Sequence, residues 1–511
     1  MHRRTFLAGL AGLAVAEPAA AKMKHDMSGM SGHGNTIPLA GTNPVLLEGK
    51  PLTALPRLAN QSAVPSLFKA ELAAEPGFMR FAEGFDTPVL LYNGTNPVIE
   101  AREGDKVEIS FKNGIPGEPT TIHWHGMPVP ADQDGNPGDP VAPGGERIYA
   151  FDLPESSAAS YWFHPHPHGL TAEQVYRGLA GVFIVKPKDD PIPPEYGDTI
   201  LMLTDLRIAA DGTMPESTMA DLMNGRIGDH VLVNGQKNPA MAAALGEKRR
   251  FRLYNATNAR FLRLRFENVS MTVIGTDGGL IEAPVAVDEL LLTPAERVEL
   301  IVSFDKPGAA KLTTLDYERG WMGPGKPDEA GMVLLTANVS EEAAAAMPPL
   351  PAKLRAIEPL GSPVVTRRFV LTESMSGDND GTSMQGMDHS GMNMPSGSMG
   401  MKFLINGASF EMNRIDEVSK AGQVELWEIV NDADMDHPFH VHGTQFQIVE
   451  HEKDGKVTAP SYRAWKDTVN VVGGETVRIL LRQDLPGPRM YHCHILEHEQ
   501  LGMMGIVDVK A

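Results

Sequence analysis

Four short segments gather histidines at spacings that suit metal binding: His123-Trp124-His125, His164-Pro165-His166-Pro167-His168, His437-Pro438-Phe439-His440-Val441-His442, and His492-Cys493-His494 followed by His498. In a strand, residues i and i+2 share a face, so each His-x-His unit points two imidazoles the same way. One such unit is an ordinary feature of a half-exposed strand. Two units near the start of the chain and two near its end, one of them straddling the only cysteine, make chance a poor account.

Imidazole suits copper, and thiolate suits the softer cuprous state that copper visits during redox cycling. Zinc needs a closed tetrahedral set, or three ligands and a water, and has no use for eight imidazoles beside a separate thiolate. Cys493, His498 and Met503 with upstream His437 make a His₂Cys set with a thioether, the pattern of a blue-copper electron-transfer site. If His492-Cys493-His494 is extended, Cys493 faces one way and the two histidines the other. One tripeptide then joins a site that collects single electrons to a cluster behind it. Such a pairing suits dioxygen, whose reduction to water takes four electrons.

Strands must hold these residues. Glycine (51) and proline (40) are abundant and aromatic residues sparse, a balance that favours a β-rich chain with many turns. A length of 511 residues exceeds one hydrophobic core and suggests about three domains. Alternating runs such as 106–111, broken by Gly/Pro/Asn clusters, read as β-sandwich strands over 44–187. Proline-rich 187–194 reads as a linker to a second unit at 195–347, with strands at 199–206, 251–256, 262–266 and 289–304. Proline-rich 348–363 leads to a third unit at 364–511, interrupted by a low-complexity insert at 374–402. Three tandem β-sandwiches in an all-β protein are expected. Residues 1–21 (Arg3-Arg4, then an apolar run and cleavage sites near Ala16 or Ala21) read as a twin-arginine export signal, and 22–43 as a polar Met/His tail. These features point to the periplasm. No stretch is long enough to insert in a membrane, and a formal charge of −20 disfavours nucleic acid. A monomer is expected.

The segments HWHG, WFHPHPHG, HPFHVHGTQF and YHCHILEHEQLGMM together resemble the multicopper oxidase family, and the resemblance spans essentially the whole mature chain. It implies cupredoxin-like Greek-key domains and four copper ions that couple substrate oxidation to reduction of O2. The implied ligands are His437, Cys493, His498 and Met503 for type 1 copper and His123 and His440 for type 2. His125, His164, His166, His442, His492 and His494 would hold the type 3 pair. His168 falls outside the family's ligand positions and is read as supporting the cluster from behind. Asp134 and Glu499 match positions used for proton delivery.

Within the family the chain is most similar to bacterial periplasmic cuprous oxidases of copper tolerance. The insert carries Met375, Met384, Met387, Met392, Met394, Met399 and Met401, where the chain average would place fewer than two. Thioethers are soft, uncharged ligands for Cu(I). Met435 fits the subgroup's substrate copper site, but Ala433 stands where an acid is expected, leaving Asp434 or Asp436 to compensate. A laccase-like phenol oxidase and a non-catalytic copper-sequestering protein are the alternatives. Cu(I) or another small reductant is the expected partner besides O2.

Overall fold

The alternation expected at 106–111 appears as the strand Lys106–Asn113, in which Val107, Ile109 and Phe111 are buried while Lys106 and Lys112 face out. The structure is a computed structural model that describes residues 44–323, 325–375 and 401–511. Its strands form six sheets in three successive pairs: two four-stranded sheets over residues 67–186, then a six- and a five-stranded sheet over 199–343, and again over 365–510. Each pair encloses its own apolar core, built around Trp124 in the first, Phe251 and Leu264 in the second, and Trp427 and Phe439 in the third.

All three pairs repeat one wiring. The first strand of each sandwich runs parallel to a later one: Leu67–Ala82 with Lys106–Asn113, Thr199–Leu206 with Lys248–Asn255, and Val365–Met375 with Val424–Asn431. A second parallel pair lies in the facing sheet each time: Val98–Arg102 with Gly181–Lys186, Ala240–Leu245 with Val333–Ala343, and Glu417–Lys420 with Met504–Lys510. Parallel partners cannot be joined by a tight hairpin, so the chain crosses between sheets, as in cupredoxin-like Greek-key sandwiches. Burial pattern, not residue identity, carries this repetition, which is why no short sequence repeat is visible.

Two local differences from the sequence reading matter for the site. The run 289–304 is two strands, Leu290–Leu292 and Arg297–Ser303, separated at Pro294 and at Ala295, which has a φ of 71°. The turn carries Arg297 inward. The strand Ala159–His164 ends at His164, because Pro165 and Pro167 offer no N–H to a ladder. His168 therefore leaves the face of His164 and His166 and sits partly exposed in a turn, its ring 5.5 Å from Phe410.

Arg297 and Asp467, both fully buried, join the three sandwiches. Arg297 Nη1 donates to Asp467 Oδ1 at 2.7 Å, Nη2 to Oδ2 at 2.5 Å, and Nε to the Ser160 carbonyl at 2.8 Å. Ser160 belongs to the first sandwich, Arg297 to the second and Asp467 to the third. Removing the cation strands a carboxylate in a dry interface, so Arg297→Met should cost about 3–5 kcal/mol in urea unfolding of the metal-free protein. A loss within experimental error of zero contradicts this role.

Candidate metal centres

In the first sandwich the strand His123–His125 pairs with Ala159–His164, placing His123 opposite His164. In the third, His437–Val441 pairs with Gly487–Cys493, placing His440 opposite His492. The corresponding strands of the middle sandwich, Leu262–Phe266 and Gly308–Leu315, carry no histidine. The two histidine-bearing faces meet by stacking: His123 on His442 with ring centroids 3.8 Å apart, and His125 on His440 at 3.7 Å. His123, His125, His164, His166, His440, His442, His492 and His494 are all fully buried.

Most of these rings are pinned at one nitrogen. His123 Nδ1 lies 3.1 Å from both the carbonyl and Oδ1 of Asp134, and His442 Nδ1 lies 3.2 Å from Asp134 Oδ2. His125 Nε2 is 3.1 Å from Asp467 Oδ1, and His440 Nδ1 donates to the Asp467 carbonyl at 2.7 Å. His164 and His492 use Nδ1 on the carbonyls of Pro165 and Cys493, each at 2.9 Å. The opposite nitrogens of His123, His125, His164 and His440, and both nitrogens of His494, have no partner. His166 Nε2 and His442 Nε2 instead point at His492 Nε2, 3.3 and 3.1 Å away. A ring that gives its proton to an outer acceptor presents a lone pair inward. Lone pairs crowded together in a dry site call for cations, so the residues present fit a cluster of copper ions. Three triads bring ligand atoms within 4.8 Å of one another: His123/His125/His164, His123/His440/His442 and His166/His442/His492.

Burial, reinforced by the neighbouring imidazoles, holds His125, His164, His166, His440, His442 and His494 well below the usual histidine range, and burial takes His492 down to about 3. They are neutral and ready to ligate. Asp134 is fully buried and bridges His123 and His442. Glu499 places Oε1 3.7 Å from His166 Nδ1 and Oε2 3.9 Å from His492 Nδ1, and burial pushes its carboxyl up to about 8.

On the other side of the His492–His494 backbone, Cys493 Sγ lies 3.4 Å from His437 Nδ1, which in turn lies 3.4 Å from His498 Nδ1. The three form a second buried triad. Met503 is fully buried in the same apolar cluster, and its carbonyl accepts the Cys493 N–H at 3.0 Å. The short helix Leu496–Gln500 presents His498, on which Phe403 stacks at 3.8 Å. The extended tripeptide thus separates Cys493 from its two flanking histidines, as its sequence implies.

The two histidines of this triad differ at their outer nitrogens. His498 Nε2 donates to the Met223 carbonyl at 3.1 Å, whereas His437 Nε2 faces Glu373 Oε1 at 3.1 Å with neither atom hydrogen-bonded. Asp434 is exposed, and Asp436 is occupied by the Tyr317 hydroxyl, Asn470 and the Gly473 N–H. Glu373 is therefore the carboxylate that faces His437. Met435 is buried, with Sδ accepting from Arg319 Nη1 at 3.2 Å. Met401 opens the strand Met401–Ile405 and packs partly buried against the third core, and its backbone pairs with that of Met375. Met384, Met387, Met392, Met394 and Met399 lie outside the described residues, as do the segments read as export signal and tail.

Sequence reasoning missed Asp467, Glu373 and Arg319. For Glu373 a signal existed: it continues the inward phase of Phe369 and Leu371, where an acid is out of place. Asp467 and Arg319 lie in segments without such a pattern.

These depressed imidazoles make acid stability a test. In the folded protein they stay neutral, while in the unfolded chain they take up protons below about pH 6.5, so unfolding binds protons and acid favours it. Their contribution is fully present above that pH and is lost as pH falls, at up to about 1.4 kcal/mol per pH unit for each imidazole. Glu497 and Glu499, pushed up to about 7 and about 8 by burial, act in the opposite sense but are fewer. Urea midpoints of the metal-free protein should fall steeply from pH 7 to pH 5. A flat profile contradicts the assignment.

Models of multicopper oxidase domains match residues 75–190, 197–311 and 382–511. A multicopper oxidase of Staphylococcus haemolyticus is 32% identical over 95% of this chain and 97% of its own. Among solved structures, a multicopper oxidase from Campylobacter jejuni described as a metallo-oxidase is 41% identical, with a TM-score of 0.83 over 93% of this chain and 99% of that one. A laccase from Pediococcus acidilactici is 31% identical, with a TM-score of 0.76 over 92% and 95%. On these matches, and with two buried imidazole-rich centres joined by one tripeptide, the chain belongs to the multicopper oxidase family.

Proposed function

We propose that this oxidase carries four copper ions and that its preferred reductant is Cu(I), oxidised to Cu(II) in copper detoxification outside the cytoplasm. The observation that carries the four-copper reading is the set of unpartnered, inward-facing imidazole nitrogens beside the separate His437/Cys493/His498 triad. His437, Cys493, His498 and Met503 are the type 1 ligands. His123 and His440 hold type 2 copper. His166, His442 and His492 hold one type 3 ion, and His125, His164 and His494 the other. Copper at these positions supplies one-electron oxidation of the reductant at the type 1 site and four-electron reduction of O2 to water at the cluster.

The chain's own residues then have distinct tasks. Cys493 and its two neighbours give electrons a covalent route between centres. Asp134 orients His123 and His442. Glu499, protonated near neutral pH, holds a proton beside the cluster, where formation of water consumes four. The Met223 carbonyl covers the outer edge of His498, while the outer nitrogen of buried His437 is met by the partly exposed Glu373. An anionic oxygen beside His437 favours a metal cation over a neutral phenol. The methionines of the insert adjoin Glu373 in sequence, with Met375 two residues away, and add soft ligands. The Campylobacter relative's description as a metallo-oxidase agrees with this reading, while relatives named laccase favour phenols as the second reading. Export as a folded monomer by the twin-arginine route suits a protein that assembles buried copper.

The purified protein should be blue, and Cys493→Ser should abolish the colour while leaving the fold, checked by visible absorption and circular dichroism. A blue variant refutes the thiolate ligand. Glu373→Gln and deletion of residues 376–400 should each lower oxygen uptake with Cu(I) by roughly tenfold and leave uptake with a bulky phenol largely unchanged. Equal losses with both reductants favour the laccase reading.

A further inference from the structure

Arg319, in the loop that follows the strand Gly308–Leu315 of the middle sandwich, is a buried cation beside the type 1 triad with no ion-pair partner among the described residues. Its backbone carbonyl accepts the Asp436 N–H at 2.7 Å, and a Cβ on the next residue, Gly320 at φ +81°, would strike the backbone of Asp434 and Met435. The loop is thus packed directly on the segment that leads into His437. The guanidinium is met by neutral groups: the Asn224 carbonyl at 2.6 Å, Met435 Sδ at 3.2 Å, and the faces of Phe261 and Trp321 at 5.3 and 5.7 Å, while Nε has no partner. Elsewhere in this protein buried arginines meet carboxylates, as Arg252, Arg260 and Arg297 do. Glu329, paired with Arg260, and Asp436, engaged by Tyr317 and Asn470, act on Arg319 only from beyond ion-pair distance. A buried charge without a direct partner is costly and persists where the surroundings hold it in place.

The charge is felt at the triad. Met435, the partner of Arg319, lies two residues before His437 and shares one buried cluster with Cys493 and Met503. Reduction of a metal held by these residues adds one negative charge to a low-dielectric pocket, which a fixed cation nearby stabilises.

We propose that Arg319 is a positioning residue that sets the reduction potential of the type 1 site by presenting an unpaired positive charge from the middle domain. It also ties the Met435 thioether into its own hydrogen bond. The proposal rests on the type 1 assignment of His437, Cys493 and His498.

The test is an equilibrium titration of the blue absorbance of the copper-loaded enzyme against a one-electron couple of known potential. Arg319→Gln removes the charge and retains a donor, and should shift the equilibrium toward the oxidised site by about tenfold or more, with the band position unchanged. Arg319→Lys keeps the charge and should stay near the parent. A blue Arg319→Gln protein with the parent's equilibrium overturns the proposal, since a merely structural arginine would alter stability and not potential. If Arg319→Gln does not take up copper, Met435→Glu decides: a carboxylate against the guanidinium should lower the potential in the same direction, and an unchanged potential overturns the proposal. A parent protein without blue absorbance refutes the type 1 assignment instead.

Discussion

The site depends on neutral imidazoles held with their lone pairs facing one another inside a dry interface. Within the cavity His166 Nε2 and His442 Nε2 approach His492 Nε2 to 3.3 and 3.1 Å. The restraint comes from behind. Asp134 grips His123 and His442, one from each histidine-bearing sandwich, and Asp467 contacts His125 and His440, again one from each. Two carboxylates thus span the seam between the first and third sandwiches.

The middle sandwich has no histidine in the cluster, yet it governs both centres by charge. Arg297 balances Asp467 behind the histidine cluster, and Arg319 lies against Met435 beside Cys493. The two arginines make contrasting uses of burial. Arg297 is matched by a carboxylate in a two-point pair and stabilises an interface. Among the described residues Arg319 has only neutral groups as direct partners, so its charge acts outward on the neighbouring site. A domain that retains the fold but not the ligands becomes the electrostatic frame for those that hold metal.

Much of this was legible in the sequence. The His-x-His units and the lone cysteine mark ligand positions because strand geometry converts spacing into direction, alternation at 106–111 marks one strand, and apolar runs at 199–206 and 262–266 mark others. What was not legible depends on distance along the chain. Asp467 touches His125 across 342 residues, and Arg319 meets Met435 across 116. No periodicity links such pairs, because the packing of three sandwiches brings them together. Prolines 165 and 167 were readable as ladder breakers, which is why His168 departs from the face of its neighbours.

Two linked centres of this kind should deliver four electrons to one O2 without releasing a partly reduced product. The most direct measurement is the stoichiometry of the copper-loaded enzyme with a one-electron reductant in a closed oxygen cell, with hydrogen peroxide assayed in parallel. Four equivalents of reductant should be consumed per O2, with no peroxide formed. Two equivalents per O2 with matching peroxide would contradict four-electron delivery, because the histidine cluster would then not be acting as a unit with the Cys493 centre.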